Sequence, residues 1–243
     1  MGTDLYLAAD CGNCCGLCCV APAFAVSPEF ALDKPAGHPC PHLQANFHCD
    51  IHARLPQEGF VGCALYDCHG AGQKVSQLTF GGQDWRTSPD LAEQMFAVFA
   101  VMRDLHDLLW YLVNALNLGP AAPVHAELTA ALEQTERLTH LDAAALVRLD
   151  VGAQQRMVSA LLLHVGDLVR AEVLRAFATE PSTRWSAIQL ARETGLEMAS
   201  LGPILTRLVR QGWIAEEDAA DGPEDHHVVY RMNEAAQPHC PGW

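Results

Sequence analysis

Apolar and polar positions alternate with three different rhythms along the 243 residues. From residue 89 onward, DLAEQMFAVFAVMRDLHDLLWYLVNALNL places apolar side chains every three or four positions. That spacing predicts a long helix, ended at Gly119-Pro120. A second helix is predicted over HAELTAALEQTERL, a third over AALVRL, and a fourth from about Gln154 to Phe177. Each has one apolar and one polar face, so residues 89–178 read as a helical domain built like a bundle.

The last stretch, 179–243, changes rhythm. Ser186-Ala-Ile-Gln189 has the spacing of a capping box and should open a helix over SAIQLARET, stopped by Gly195. A turn through Leu196–Met198 leads to a second helix, roughly Ala199–Gln211, stopped by Gly212. WIAEE and HHVVYRM read as two strands separated by the polar DAADGPED. Helix, turn, helix and hairpin in that order predict a winged helix-turn-helix. Leu201, Ile204, Leu205 and Leu208 fall at core spacing, which leaves Ser200, Thr206, Arg207 and Arg210 as candidate DNA-contacting residues on the second helix. Pro203 inside a helix costs about 3 kcal/mol outside the first turn. It predicts a late helix start near Ser200 or a local kink.

The first 88 residues have little helical periodicity. GAGQ at 70–73 and FGG at 80–82 read as turns, and GAGQKV lacks the third glycine and the Lys-Ser/Thr of a phosphate loop. This stretch holds nine of the ten cysteines; Cys240 stands alone near the end. The fold class expected is therefore mainly α, with a Cys-rich metal-binding domain at 1–88, a helical domain at 89–178 and a winged helix at 179–243.

Charge narrows the partners. The formal net charge is −14, no segment is basic, and the turn between the two predicted strands is rich in acids without one base. Strong non-specific nucleic-acid binding, which needs clustered Lys and Arg, is disfavoured. MGTDLYLAAD has no basic residue and only a short apolar run, unlike a secretory signal. Glu93, Arg103, Asp104, His106 and Asp107 interrupt the longest apolar segment, so no membrane span is expected. The expected compartment is the cytoplasm, where disulfides rarely persist.

That setting turns CGNCCGLCC, residues 11–19, toward metal chemistry. Cys11, Cys14, Cys15, Cys18 and Cys19 are followed by Cys40, Cys49, Cys63 and Cys68. Four thiolates make a tetrahedral zinc site or hold a cubane iron–sulfur cluster, so eight would fill two such sites. His38, His42, His48, His52 and His69 are available in place of some thiolates. A fold clamped by structural zinc weighs about evenly against a functional metal. His106 and His164, each near an aspartate on a helix, read as ordinary helix residues.

The pattern through the Cys18-Cys19 pair, CPHL, CDIH and GCALYDC resembles the YkgJ-type CxxCxxCC family, described as zinc- or iron-chelating. One extra residue separates the second cysteine from the CC pair, which leaves open whether Cys14 or Cys15 is the ligand. Residues 11 to about 170 also resemble the front of actinobacterial proteins that continue into pentapeptide repeats, through CGLCCVAPAFAVSPEFALDKPAGHPCPHL, GAGQKVSQLTFGGQDWR and LHDLLWYL. No such repeats follow here. ASLGPILTRLVRQGWI followed by VVYRM resembles PadR-like winged-helix regulators. The tyrosine usual before the proline is replaced by Gly202, and the long C-terminal dimerisation helix is missing.

Two functions from different classes follow. One is a metal- or redox-responsive transcriptional regulator, with zinc or an iron–sulfur cluster in front and DNA, read by a monomer or homodimer, behind. The other is a structural-zinc interaction protein whose winged helix binds a protein partner. No Ser/His/Asp signature or dinucleotide fingerprint is visible, so no catalytic residue is assigned.

Overall fold

Met95, Val98, Met102, Leu105, Leu109 and Leu112 recur every three or four residues, and none is more than 1% exposed. They form the inner face of the long helix α4, Ala92–Leu116. Its position in the computed structural model, which describes residues 7–180, 182–218 and 228–233, sets the frame for the thiols. Among the described residues the chain is mainly α-helical with a small three-stranded sheet. It divides into two compact units, Met1–Val113 with Ala130–Val158, and Asn114–Thr129 with Ser159–Trp243.

In the first unit the elements are α1 (Leu17–Val20), α2 (Val61–Leu65), α3 (Ala71–Gln73), the first part of α4, the later part of α5 (His125–Leu138), α6 (Ala143–Arg148) and the start of α7 (Val151–Thr179). Leu17 and Val20 from α1 join Met95, Val98, Phe99, Met102, Leu105 and Leu146 in one apolar core. This core draws residues from both sides of residue 88. A smaller core of Ile51, Leu55 and Phe60, flanked by Phe24 and Phe30, lies under the cysteine loops. Thr135 on α5 is fully buried, and its hydroxyl donates to the Ala131 carbonyl while accepting from the Gln154 amide of α7. Both polar groups are thereby satisfied inside the apolar bundle.

Residues 70–73, expected as a turn, instead begin a helix. Gly70 takes a left-handed conformation at φ 85°, α3 starts at Ala71, and the backbone continues as a wider π-helix over Lys74–Thr79. Ala71 and Val75, four residues apart, are both 0% exposed, and their burial offsets the two glycines.

In the second unit, β1 (Trp185–Ser186), α8 (Ala187–Thr194), α9 (Met198–Arg210), β2 (Ile214–Asp218) and β3 (Val228–Met232) follow in order. The sheet order is β1-β3-β2, antiparallel throughout, with Trp185 opposite Tyr230 and Ile214 opposite Met232. The expected capping box is present: the Ser186 hydroxyl accepts from the Gln189 N–H, and the Gln189 side chain accepts from the Ser186 N–H. Gly195, at φ 68°, closes α8 as a left-handed cap. Helix α9 begins at Met198, before the start near Ser200 that Pro203 suggested, and Pro203 lies within it. Burial of Leu201, Leu205 and Leu208 to at most 1% exposure outweighs the N–H that proline withholds. The two-residue β1 was not anticipated. The acidic segment beyond Asp218 and Cys240 lies outside the described residues.

Candidate metal centre

The thiols are held by short elements anchored one at a time. Asp10 caps a 3-10 turn at Cys11–Asn13, its carboxylate accepting from the Gly12 N–H at 3.0 Å and the Asn13 amide at 2.8 Å. Gly16 then turns the chain at φ 72°, where a Cβ would meet Leu43 at 2.8 Å. In α1, Leu17 and Val20 face the core, which leaves Cys18 and Cys19 half-buried with their sulfurs 3.9 Å apart. The Cys19 carbonyl accepts from the Cys40 N–H at 2.9 Å, tying the second cysteine loop to α1. That loop doubles back, pairing Leu43 with Cys49 in an antiparallel bridge. Cys63 rides on α2, and the Cys68 carbonyl accepts from the Ala71 N–H as α3 begins.

Two side chains clamp these loops from behind. The Trp85 indole donates to the Cys15 carbonyl at 2.8 Å. Arg86 donates to the carbonyls of Gln44 and Ala45, both at 2.9 Å, and lies 4.4 Å from the centre of the Phe47 ring. Neither residue stands out in the sequence, because their function depends on carbonyls more than forty residues away.

Lys34 is the feature that sequence reading missed most completely. It is 3% exposed, and its ammonium donates to the carbonyls of Val20 and His38 at 3.0 Å, Pro35 at 3.3 Å, and Pro22. Desolvation lowers its pKa, while Cys40, Cys19, Cys18 and Cys63 pull the other way. A buried cation thus interacts with four thiols, and it pulls the Cys63 thiol toward its ionised form against the effect of burial. One signal was present in the chain: it has only two lysines, at 34 and 74, against thirteen arginines.

Burial governs the thiols themselves. It pushes Cys14 up to about 12 and Cys63 to about 11, and it raises Cys11, Cys49 and Cys68 as well. Cys18 is raised well above its ordinary value, first by its hydrogen bond with Cys19 and then by burial. Cys11 interacts with Cys18 and Cys68, whereas Cys63 interacts with Cys18, Cys40 and Cys49. Cys18 belongs to both circles. Gly72 adds a close approach: a Cβ there would stand 2.7 Å from the Cys14 sulfur and 3.8 Å from that of Cys68.

Cys15 stands apart. It is 6% exposed, its sulfur accepts from the Ser76 hydroxyl at 3.3 Å, and it lies 3.6 Å from the Met95 sulfur within the apolar core. All nine described cysteines are free thiols. Among the described residues no three His, Cys, Asp or Glu side chains are drawn together closely enough to hold an ion. Zinc and iron–sulfur centres take four thiolates around one site, and the described thiols would have to close further to make one. His38, His48 and His52 are exposed; His42 pairs with Asp50 at 3.1 Å; the His69 ring stacks on Trp110.

On α9, Thr206, Arg207 and Arg210 are exposed and Ser200 is half-buried, while the Thr206 hydroxyl donates to the Gly202 carbonyl. Arg184, just before β1, and Arg231 on β3 both pair with Glu217. No helix among the described residues is long and apolar enough to cross a membrane.

A Cys-rich, mainly α-helical chain of this kind is similar to the uncharacterized protein YybG of Bacillus subtilis (strain 168). The two are 51% identical over 166 residues, 68% of this chain and 60% of the relative. The chain therefore spans less than two thirds of that protein's length. No family profile matches the chain, and no solved structure does.

Proposed function

We propose that the protein is a metal- or redox-responsive regulator of transcription, with a thiolate centre on the Cys-rich loops and a winged helix that reads DNA. The observation that carries this reading is the set of eight thiols on loops tied to one another, those of Cys11, Cys14, Cys18, Cys19, Cys40, Cys49, Cys63 and Cys68, with the buried ammonium of Lys34 interacting with those of Cys18, Cys19, Cys40 and Cys63. Zinc or an iron–sulfur cluster would supply there a charge that ionises the thiols and a ligand set that oxidation can change. Lys34 offsets part of the negative charge four thiolates would leave. Gly72 keeps the space that Cys14 occupies. Cys15, packed against Ser76 and Met95, serves the core instead, which favours Cys14 in the choice the sequence leaves open.

At the other end, the β1-α8-α9-β2-β3 order and the sheet order β1-β3-β2 support a winged helix. Its second helix turns Thr206, Arg207 and Arg210 outward, as a recognition helix needs. The test is DNA affinity across a salt series, with metal-loaded and chelated protein. A sequence-specific complex in one metal state, weakening linearly in log salt, is the expected result. No specific complex at low salt in either state would sink the regulator reading.

One observation favours a second reading, a structural-zinc interaction protein. Glu217 takes up both Arg184 and Arg231, while Ile188 and Met198 are 57% and 50% exposed. Those features suit a protein partner better than phosphate. Recovery of one stoichiometric protein and no DNA on the tagged chain would favour it.

A further inference from the structure

The outer side of α4 carries an aromatic face. Trp110 is 39% and Tyr111 50% exposed, and their rings meet edge to face with centres 5.2 Å apart. The His69 ring stacks on Trp110 at 5.0 Å. His69 holds that place at a backbone cost, since its φ of 46° lies in the left-handed region that side chains rarely adopt. Its N–H donates to the Asp67 carboxylate at 2.8 Å, and its carbonyl accepts from His106 Nδ1 at 2.6 Å, which offsets the strain. All of these residues belong to the first unit. Contiguous aromatic side chains held in place at a surface mark interaction sites, as singly scattered apolar residues do not.

Charge selects the occupant. Asp107 stands one helical turn before both rings, so its side chain is their neighbour on the surface of α4. Its half-buried carboxylate lies 4.0 Å from His69 Nε2, and that of Asp67 lies 3.9 Å from Nδ1 of the same ring. Tyr66, 39% exposed, interacts with both Asp107 and Arg103. Arg103 itself donates to Asp104 at 2.6 Å. The carboxylates of Asp67, Asp104 and Asp107 thus outnumber that guanidinium beside the exposed rings. Such a face repels phosphate and carboxylate and receives a cation. A guanidinium uses both of its features at once, stacking flat on an aromatic ring while donating parallel N–H groups to a carboxylate, which the point charge of an ammonium does not. Leu65, next to Tyr66 and 81% exposed, extends the apolar surface beyond the reach of one small cation. A second copy docked two-fold on the same face would set these carboxylates against one another.

We propose that this face docks an arginine-bearing segment of a protein partner. The arginine lies against Trp110 and Tyr111 with its guanidinium paired to Asp107, and its apolar neighbours rest on Tyr66 and Leu65. Trp110, Tyr111 and Asp107 are not candidate metal ligands, and they lie on α4, away from the winged helix. The docking therefore stands or falls apart from both the thiol centre and DNA binding.

The test is selection of short peptides from a randomised display library on the full chain purified without air, followed by titration of the enriched peptides. These should share an arginine among apolar residues. Replacing that arginine by citrulline, which keeps its shape and removes its charge, should weaken binding about tenfold or more, as should Asp107→Asn and Trp110→Ala in the protein. If Trp110→Ala fails to fold, Tyr111→Ser, at the more exposed position, replaces it and should also weaken binding. An unchanged count of reactive thiols shows that a variant keeps its loops in place. The proposal is overturned if no peptide is enriched, if the enriched peptides lack arginine, if citrulline binds as well as arginine, or if Asp107→Asn leaves the affinity unchanged. Self-association of the chain alone that Asp107→Asn abolishes would name a second copy as the occupant, and would overturn it too.

Discussion

Helices α8 and α9 and the loops from Cys11 to Cys68 are held by different forces. In the helix pair, Leu190, Leu201, Leu205 and Leu208 are each at most 1% exposed, and a capping box and a glycine cap fix the ends of α8. In the loops the separate core is three residues, Ile51, Leu55 and Phe60, and beyond it Cys15, Leu17 and Val20 reach the core shared with α4. Positions there depend instead on single polar clasps: Lys34 on carbonyls, Arg86 on Gln44 and Ala45, Trp85 on Cys15. A region with so small a core of its own would gain most from ligands that cross-link it, which is where a bound metal would contribute to folding.

The contrast can be broken from either side. Leu205→Ala should cost about 3–5 kcal/mol, because the side chain is 1% exposed and its cavity cannot collapse within a helix. Denaturant unfolding should show this loss, while the thiol reactivity of the Cys-rich loops stays unchanged. Equal disturbance of the thiols would mean that the two regions are not separately held.

Acid should act on the first unit through His106. Its ordinary value of 6.5 is lowered to about 4 in the folded chain, so between those values the unfolded state binds a proton that the buried ring refuses. The contribution is intact above pH 6.5 and is lost as pH falls toward 4, by up to about 3 kcal/mol. His106→Asn should flatten the stability profile across that window. An unchanged slope would place the acid sensitivity elsewhere.

Gly72→Ala sharpens the comparison within the loops. The added methyl meets the Cys14 sulfur and should cost about 1–3 kcal/mol. Its distinguishing effect is faster alkylation of Cys14 and weaker metal retention, with α9 undisturbed. The smallest effect expected is at Ser186→Ala, about 1 kcal/mol from the lost cap, read in the thermal midpoint of the second unit alone.

The helix pair was legible because its signals are local. Ser186 and Gln189 are three residues apart, Gly195 ends the helix it follows, and the leucines of α9 repeat at helical spacing. The long helices yielded for the same reason, with α5 matching its expected bounds at His125–Leu138. The cysteines pointed to sulfur chemistry but not to their arrangement. That Cys15 packs against Ser76 and Met95 while Cys14 sits against Gly72 depends on residues some sixty to eighty positions away. Lys34 escaped notice, and His106 read as an ordinary helix residue, for a related reason, since the buried carbonyls they meet leave no mark in side-chain sequence. Residues 70–73 misled because glycines usually punctuate a turn, whereas here Gly72 makes room for a thiol.

The central claim is that these thiols hold metal. Its most direct test is protein purified without air, examined by visible spectrum, metal analysis and acid-labile sulfide together with a count of reactive thiols. The account predicts either one or two zinc ions per chain in a colourless protein, or iron and sulfide in a brown one, with thiols becoming reactive only after chelation. Metal-free protein whose thiols react at once would contradict it.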